Sequence, residues 1–425
     1  MTGVIFMYDY SYCLNRDILC VDLKSFFASV SCIEKGLDPL TTKLAVVADT
    51  KRPGSVVLAA TPPLKAIGIK TGSRLFEIPQ RKDIYIINPS MKKYIQLSTQ
   101  ISKIALDYVA PEDFHQYSID EFFMDVSESY HLFAHSPFSL AMQLQERIFN
   151  LVHIRSTIGI GSNLLLAKLS MDIDAKHTPL GISEWRYEDV PAKLWSIQPL
   201  REMWGINRRT EAKLNKKGIF TVGHLANYPV EYLKRDFGVI GVDLHLHANG
   251  IDESMIRQPH QAYDKSLGKS QILMRDYSMN ELKTVLNEQV DEVYYRSRKL
   301  NLYPTRISVS VGYADMGGVR KQFTNKTGFM NTYVIVNLLW DYLSQRLEPD
   351  RLYRTIAISF GKFIPNQIKQ LSLFDDPFQV KTETIENHLD FIRMKYGKNI
   401  VMRGSSLLNS GTLRERKGLI AGHKA

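Results

Sequence analysis

The chain has 425 residues, 44% of them hydrophobic and 23% charged, enough for three to four compact units of roughly 100–150 residues each. Its 54 Lys and Arg against 44 Asp and Glu leave a net charge of +10, which favours a polyanionic partner, either nucleic acid or an acidic membrane surface. No apolar run reaches the ~20 residues that span a bilayer, the start of the chain lacks a signal peptide's basic and apolar regions, and Cys13, Cys20 and Cys32 have no disulfide or zinc spacing and suit a reducing cytoplasm.

In chain order, the apolar run 18–21 predicts a buried strand, and Phe26, Phe27, Val30 and Ile33 give residues 25–33 helical spacing. Residues 43–48 and 55–60 read as strands around a Lys-Arg-Pro-Gly turn at 51–54, and 84–87 as another. Helical periodicity over 91–109 precedes a strand-turn-strand hairpin at 116–126, a helix at 140–151, a strand at 156–160 and a helix from 163 towards 171. This alternation predicts a mixed α/β domain over about the first 180 residues. From about 191 to 252 strand character fades. There, Trp204-Gly205-Ile206 and Lys217-Gly218-Ile219 have the glycine-plus-apolar pattern of helix–hairpin–helix turns, which ordinary turns share. Such hairpin turns can offer backbone amides to a phosphate.

Residues 253–264 are polar and read as a linker. Beyond them come a strand near 271–274, a helix at 280–300, an alternating strand at 306–311, a helix at 331–346 and a strand at 355–360. This pattern predicts a small sheet with helices on one face, made basic by Arg298, Lys299, Arg306, Arg320, Lys321, Lys326, Arg351 and Arg354. Past residue 360 regular sheet character is lost.

Two local features carry chemistry. Ser118-Ile119-Asp120-Glu121 sets adjacent carboxylates at the mouth of the predicted hairpin. Such a pair is costly to bury unless a hard divalent cation or another charge offsets it; a solvated turn is the alternative. Asp22 ends the first apolar strand and is followed by Leu23-Lys24-Ser25-Phe26-Phe27-Ala28-Ser29-Val30.

These residues carry a resemblance. The run from Asp22 to Val30 resembles the opening motif of the Y-family (UmuC/DinB-type) translesion DNA polymerases, and the Ser-Ile-Asp-Glu hairpin resembles their second metal-binding motif. Ala66-Ile67-Gly68-Ile69-Lys70-Thr71-Gly72 resembles the fingers segment. Gly159-Ile160-Gly161-Ser162-Asn163, with Leu166-Ala167-Lys168 and Ala175-Lys176, resembles the last palm motif. Within the family the chain is most similar to the UmuC-like UV-damage repair proteins of Gram-positive bacteria and their prophages. Gly404-Ser405-Ser406-Leu407 and Ala421-Gly422-His423-Lys424-Ala425 strengthen that match.

The resemblance implies an α+β right hand. A ferredoxin-like palm would cover 1–180, with fingers inserted at about 25–80. A helix–hairpin–helix thumb would follow at 181–252, then the linker, an α+β little finger at 265–362 and a tail at 363–425. It implies a DNA-directed DNA polymerase working opposite damaged bases, with two Mg²⁺ ions bridged by Asp22 and Asp120. Glu121 and the Leu23 carbonyl complete that site. Phe27 would be the steric gate against a ribose 2′-hydroxyl, although the residue alone reads equally as core helix. Lys65 and Lys176 would hold the incoming triphosphate; by themselves they read as solvated lysines.

Pro62 stands where several relatives carry a triphosphate-touching tyrosine, and Lys24 replaces a common acidic residue. Gln370-Leu371-Ser372-Leu373-Phe374 resembles the pentapeptide by which bacterial polymerases bind the ring-shaped sliding clamp, though it could instead pack on its own domain. The implied partners are primer-template DNA, deoxynucleoside triphosphates, the clamp (β subunit) and a UmuD-like subunit. The chain itself is expected to be a cytoplasmic monomer. A catalytically silent DNA-binding accessory factor and a metal-dependent nuclease are the competing readings. The first has no use for the carboxylates, and the second has none for Phe27.

Overall fold

The computed structural model describes residues 8–258, 264–365, 377–397, 400–420 and 422–424. The chain divides into two compact units, residues 1–259 with 423–425, and residues 260–422.

The first unit opens with β1 (Ile18–Leu23) and α1 (Phe26–Ile33), then β2 (Lys43–Val47), β3 (Val57–Ala60), α2 (Pro62–Ala66) and β4 (Ile84–Ile87). Next come α3 (Met91–Ala105), β5 (Phe114–Gln116), β6 (Glu121–Asp125), α4 (Pro137–Val152), β7 (Ser156–Gly161), α5 (Leu164–Leu169) and β8 (Ile182–Trp185). Five strands form one sheet in the order β5-β6-β1-β7-β8. β1 lies at its centre, antiparallel to both β6 and β7. Its apolar residues are buried and Asp22 is the only one left partly open, as a central strand of continuous hydrophobic character should be.

β7 is buried throughout. Gly159 and Gly161 let α5 lie directly on this strand: a Cβ at either position would overlap the backbone of Ala167. A separate sheet, β3-β2-β4, has its own small core of Ala45, Val47, Val57, Ala60, Leu64 and Ile84 among others.

Pro62 and Pro63 start α2, a helix to which the sequence pattern assigned no element. Proline suits a helix's first turn, because the missing amide hydrogen has no intrahelical partner there. β8 pairs in parallel with β7, so the main sheet runs past residue 180.

Four short helices follow: α6 (Arg208–Asn215), α7 (Val222–Ala226), α8 (Val230–Phe237) and α9 (Val239–Ala248). Leu194, Leu200, Leu214, Ile219, Leu225 and Leu233 form the core between them. Gly205 and Gly218 have φ of +91° and +80°, the left-handed conformation that only glycine adopts cheaply. The Asn207 side chain accepts the Arg209 and Thr210 amides to cap α6.

The second unit holds β9 (Ser266–Tyr277), α10 (Met279–Lys299), β10 (Leu302–Tyr313), β11 (Gly318–Thr324), α11 (Thr332–Ser344), β12 (Tyr353–Pro365) and α12 (Pro377–Tyr396). The antiparallel order is β11-β10-β12-β9. Leu282, Val285, Leu286, Val290 and Val293 of α10 join Ile335 and Leu339 of α11 against Ile307, Val309, Ile356 and Ile358 of the sheet.

Within the segment expected to be a tail, the described residues 377–397 and 400–420 pack onto α10 and α11. Arg298, whose side chain is only 8% exposed, bonds to Glu386 at 2.8 Å and to Asp390 of α12, while Arg403 pairs with Asp291. The Thr412 amide donates to the Glu288 carboxylate. The pentapeptide 370–374 lies outside the described residues. Among those residues, no helix is long and apolar enough to cross a membrane.

Candidate active site

The sheet register builds the site. Asp22 near the end of β1 sits directly opposite Glu121, the first residue of β6. Asp120 occupies the preceding turn, where the Leu23 amide donates to the Asp120 carbonyl at 2.9 Å. The Ser118 hydroxyl donates to Asp120 Oδ1 at 2.8 Å and fixes that carboxylate's orientation. The expected trio is therefore together at one edge of the central strand.

Two lysines meet these acids. Lys168 Nζ lies 2.7 Å from Glu121 Oε1 and 2.9 Å from Asp172 Oδ2. Lys176 Nζ lies 2.8 Å from Asp22 Oδ2 and 2.7 Å from Asp172 Oδ1. Asp172 thus stands between the two ammonium groups. It is four residues from each, the spacing that aligns side chains along a helix. Burial pushes the Asp22 carboxyl up, and repulsion from Asp120 and Glu121 adds to this against the pull of Lys176. Burial works to lower the pKa of Lys168, but Cys20, Glu121 and Asp172 outweigh it and the pKa rises. Lys176 behaves likewise beside Asp22 and Asp172. The buried Cys20 thiol also donates to Glu121 Oε1 at 3.4 Å.

On the other side, Ser25 takes the left-handed conformation, φ 50° and ψ 43°, at the start of α1. A non-glycine residue there stores strain of about 1–3 kcal/mol, a cost met most often at functional sites. Its hydroxyl accepts from Lys65 Nζ at 2.9 Å. Burial, with Lys176 and Lys24 nearby, pushes the Lys65 pKa down. Phe27 is half-buried and stacks on Tyr94, with ring centroids 4.3 Å apart and planes 10° from parallel. The Tyr94 hydroxyl and the Ser31 hydroxyl hydrogen-bond at 2.9 Å. Phe26, its neighbour in sequence, is the ring that enters the core.

The donor set suits a hard divalent cation in kind: Asp22, Asp120 and Glu121 all supply carboxylate oxygens, and the other two raise the cost of charge on Asp22. Among the described residues no three His, Cys, Asp or Glu side chains already converge as a ligand cage. Asp22 and Glu121 are bonded instead to Lys176 and Lys168. Sequence reading gave no role to Lys168, Asp172 or Tyr94. Of these, Lys168 lay inside a quoted motif, and the four-residue spacing of Asp172 from both lysines was the available signal.

A mixed sheet carrying acids at the end of its central strand, followed by helical hairpins and a separate α+β unit, is the fold of a Y-family polymerase. The solved "Y-family DNA polymerase chimera Dbh-Dpo4(243-245)-Dbh" matches it with a TM-score of 0.66 at 21% identity, over 82% of this chain and 100% of that one. Residues 21–172 match the impB/mucB/samB family, 187–219 its HHH motif and 264–373 its C-terminal domain. The chain belongs to this family, the Y-family DNA polymerases.

Among its relatives, it is similar to the "Putative UV-damage repair protein UvrX" of Bacillus subtilis (strain 168). The two are 42% identical over 99% of this chain and 100% of that protein. It is also 33% identical to "DNA polymerase IV 2" of the same organism, over 96% of this chain and 99% of that one.

Proposed function

We propose that this chain inserts deoxynucleotides opposite damaged template bases by phosphoryl transfer at Asp22, Asp120 and Glu121. The observation that carries the reading is the register that sets Asp22 against Glu121, with Asp120 in the adjoining turn. Two Mg²⁺ ions held by these carboxylates and the Leu23 carbonyl would supply an acidified primer 3′-hydroxyl and charge relief for the transferring phosphoryl group.

The chain's own residues do the rest. Lys65 and Lys176 bind the triphosphate and place its α-phosphate over the acids. Lys168 holds Glu121 in place while Asp172 restrains both palm lysines. The Phe27 ring, backed by Tyr94, excludes a 2′-hydroxyl from the sugar pocket.

Primer-template DNA is held without sequence readout. The hairpin turns at Gly205 and Gly218 offer amides to phosphates. In the second unit, Arg320 and Lys321 stand exposed on the edge strand β11 and add salt-sensitive contacts. Recruitment to the sliding clamp is assigned to Gln370–Phe374 by sequence alone, and a UmuD-like subunit is a further candidate partner.

The test is extension of a primed template by purified chain with Mg²⁺, with and without an abasic site. Wild type should extend both templates, and Asp120→Ala should bind the DNA equally and extend neither. Near wild-type extension by Asp120→Ala would remove the assignment. DNA binding without extension by wild type would leave the accessory-factor reading.

A further inference from the structure

We propose that the cleft bounded by Lys24, Asp38, Pro62, Phe149, His153 and Arg155 is a binding site for a pyrophosphate-type anion, adjoining the nucleotide residues. The ligand's chemistry is that of two linked phosphates, as free pyrophosphate or as the outer phosphates of a nucleotide. The proposal deepens the polymerase reading and rests on it for the ligand's role, though the binding itself does not.

The cleft has a volume of about 280 Å³, just under the ~300 Å³ where pockets for drug-sized ligands begin, so it suits a small ion. The backbones that carry its two cations are tied together. The Lys24 amide donates to the Arg155 carbonyl at 2.9 Å, tying the end of β1 to the start of β7. The Ser29 hydroxyl donates to the Lys24 carbonyl at 2.7 Å and holds that end against α1. The Arg155 guanidinium lies over the Phe149 ring, 4.9 Å from its centroid, which pins it to the cleft wall. Among the described residues neither Lys24 nor Arg155 has an ion-pair partner, whereas Lys65, Lys168 and Lys176 are each bonded to a neighbour.

Opposing charges are the Asp38 carboxylate and the carbonyl end of α4. Asp38 is already engaged, accepting from the Leu40 amide at 2.9 Å and the Thr41 hydroxyl at 3.1 Å. Arg155 sits just past the helix end, where a cation offsets the dipole. The cleft shares Pro62 with α2, which also carries Lys65, and Lys24 is near enough to help push the Lys65 pKa down. The two departures from the family pattern therefore meet in one place. Pro62 removes a hydroxyl donor from the wall, and Lys24 supplies a charge that an acidic residue would cancel.

The experiment is calorimetric titration of inorganic pyrophosphate into the full-length chain, without DNA and with EDTA, so that only protein cations contribute. Wild type should bind, and Lys24→Gln and Arg155→Gln should each weaken binding by roughly tenfold or more, the worth of one charged hydrogen bond. Lys24→Arg should retain it. Melting curves matching wild type establish that each variant is folded.

In steady-state extension, Lys24→Gln should raise the inhibition constant for pyrophosphate. An unchanged nucleotide KM would then assign the site to released product, and a KM raised in parallel would assign it to the nucleotide's outer phosphates. Wild-type affinity in both Gln variants, or no binding by wild type, would overturn the proposal. A chain that binds pyrophosphate through Lys24 yet never extends a primer would refute the polymerase reading alone.

Discussion

Replacing Lys168 by Met keeps the volume of a long unbranched side chain and removes its charge. The lysine side chain is 9% exposed, Glu121 is 12% exposed and Asp172 is 32% exposed. Breaking a buried ion pair on one side costs ~3–5 kcal/mol, because the partner charge is left unpaired. Asp172 is open enough to rehydrate, so its bridge adds no more than ~1 kcal/mol. Glu121 cannot, and it dominates.

A loss of about 3 kcal/mol corresponds to a fall in Tm of roughly 6–12 °C for a unit of this size. Differential scanning calorimetry of the full chain would read it. Because Glu121 is also a proposed cation ligand, Mg²⁺ should raise the variant's Tm more than wild type's, the ion standing in for the lost ammonium. A variant melting within about 2 °C of wild type would mean that Glu121 rehydrates freely, and the pairing would then have no structural weight.

Three further outcomes are expected. Phe27→Ala should raise ribonucleotide insertion relative to deoxyribonucleotide by at least roughly tenfold while the fold persists, since Tyr94 keeps its bond to Ser31; an unchanged ratio in single-nucleotide assays would return Phe27 to a packing role. The Glu281 carboxyl is held down to about 2 by Arg275, against burial, with the Ser278 amide and hydroxyl assisting. Its contribution is therefore present above its ordinary value of 4.5 and is lost as pH falls towards 2, so Glu281→Gln should flatten the acid-side decline in urea stability of the second unit between pH 5 and 2. Replacing Leu373 and Phe374 by Ala should leave insertion on short templates unchanged and abolish binding to the clamp in one titration; equal affinity would move recruitment to another surface.

The elements easiest to read from sequence are those whose patterns are local. The run at 18–21 is apolar because β1 is covered on both faces, β7 is likewise buried throughout, and the helices at 91–109 and 280–300 carry clear periodicity. What escaped depended on partners distant in sequence. β11 was read only as basic residues, because this edge strand is exposed on both faces, with Arg320 on one and Lys321 on the other. The tail's place on α10 rests on Arg298 meeting Glu386 and Asp390, about ninety residues away. In the site, the acids were legible as motifs, whereas the Phe27–Tyr94 stack joins residues whose separation has no helical or strand period. The lysine pairings needed the wound segment 170–174 between α5 and Lys176 before Asp172 could reach both ammonium groups.

The two glycines of β7 have a consequence for how this protein can vary. Lys168 is carried by α5, and α5 rests on Gly159 and Gly161 with no room for a methyl group. Any side chain at those positions lifts the helix, and the lift draws Lys168 away from Glu121, while the nearest atoms it meets belong to none of Asp22, Asp120 or Glu121. Substitutions there would leave every carboxylate in the sequence intact while undoing the charge pairing that orders them. A mutational scan should therefore find these two silent-looking strand positions as intolerant as the acidic residues themselves, and intolerant even to alanine.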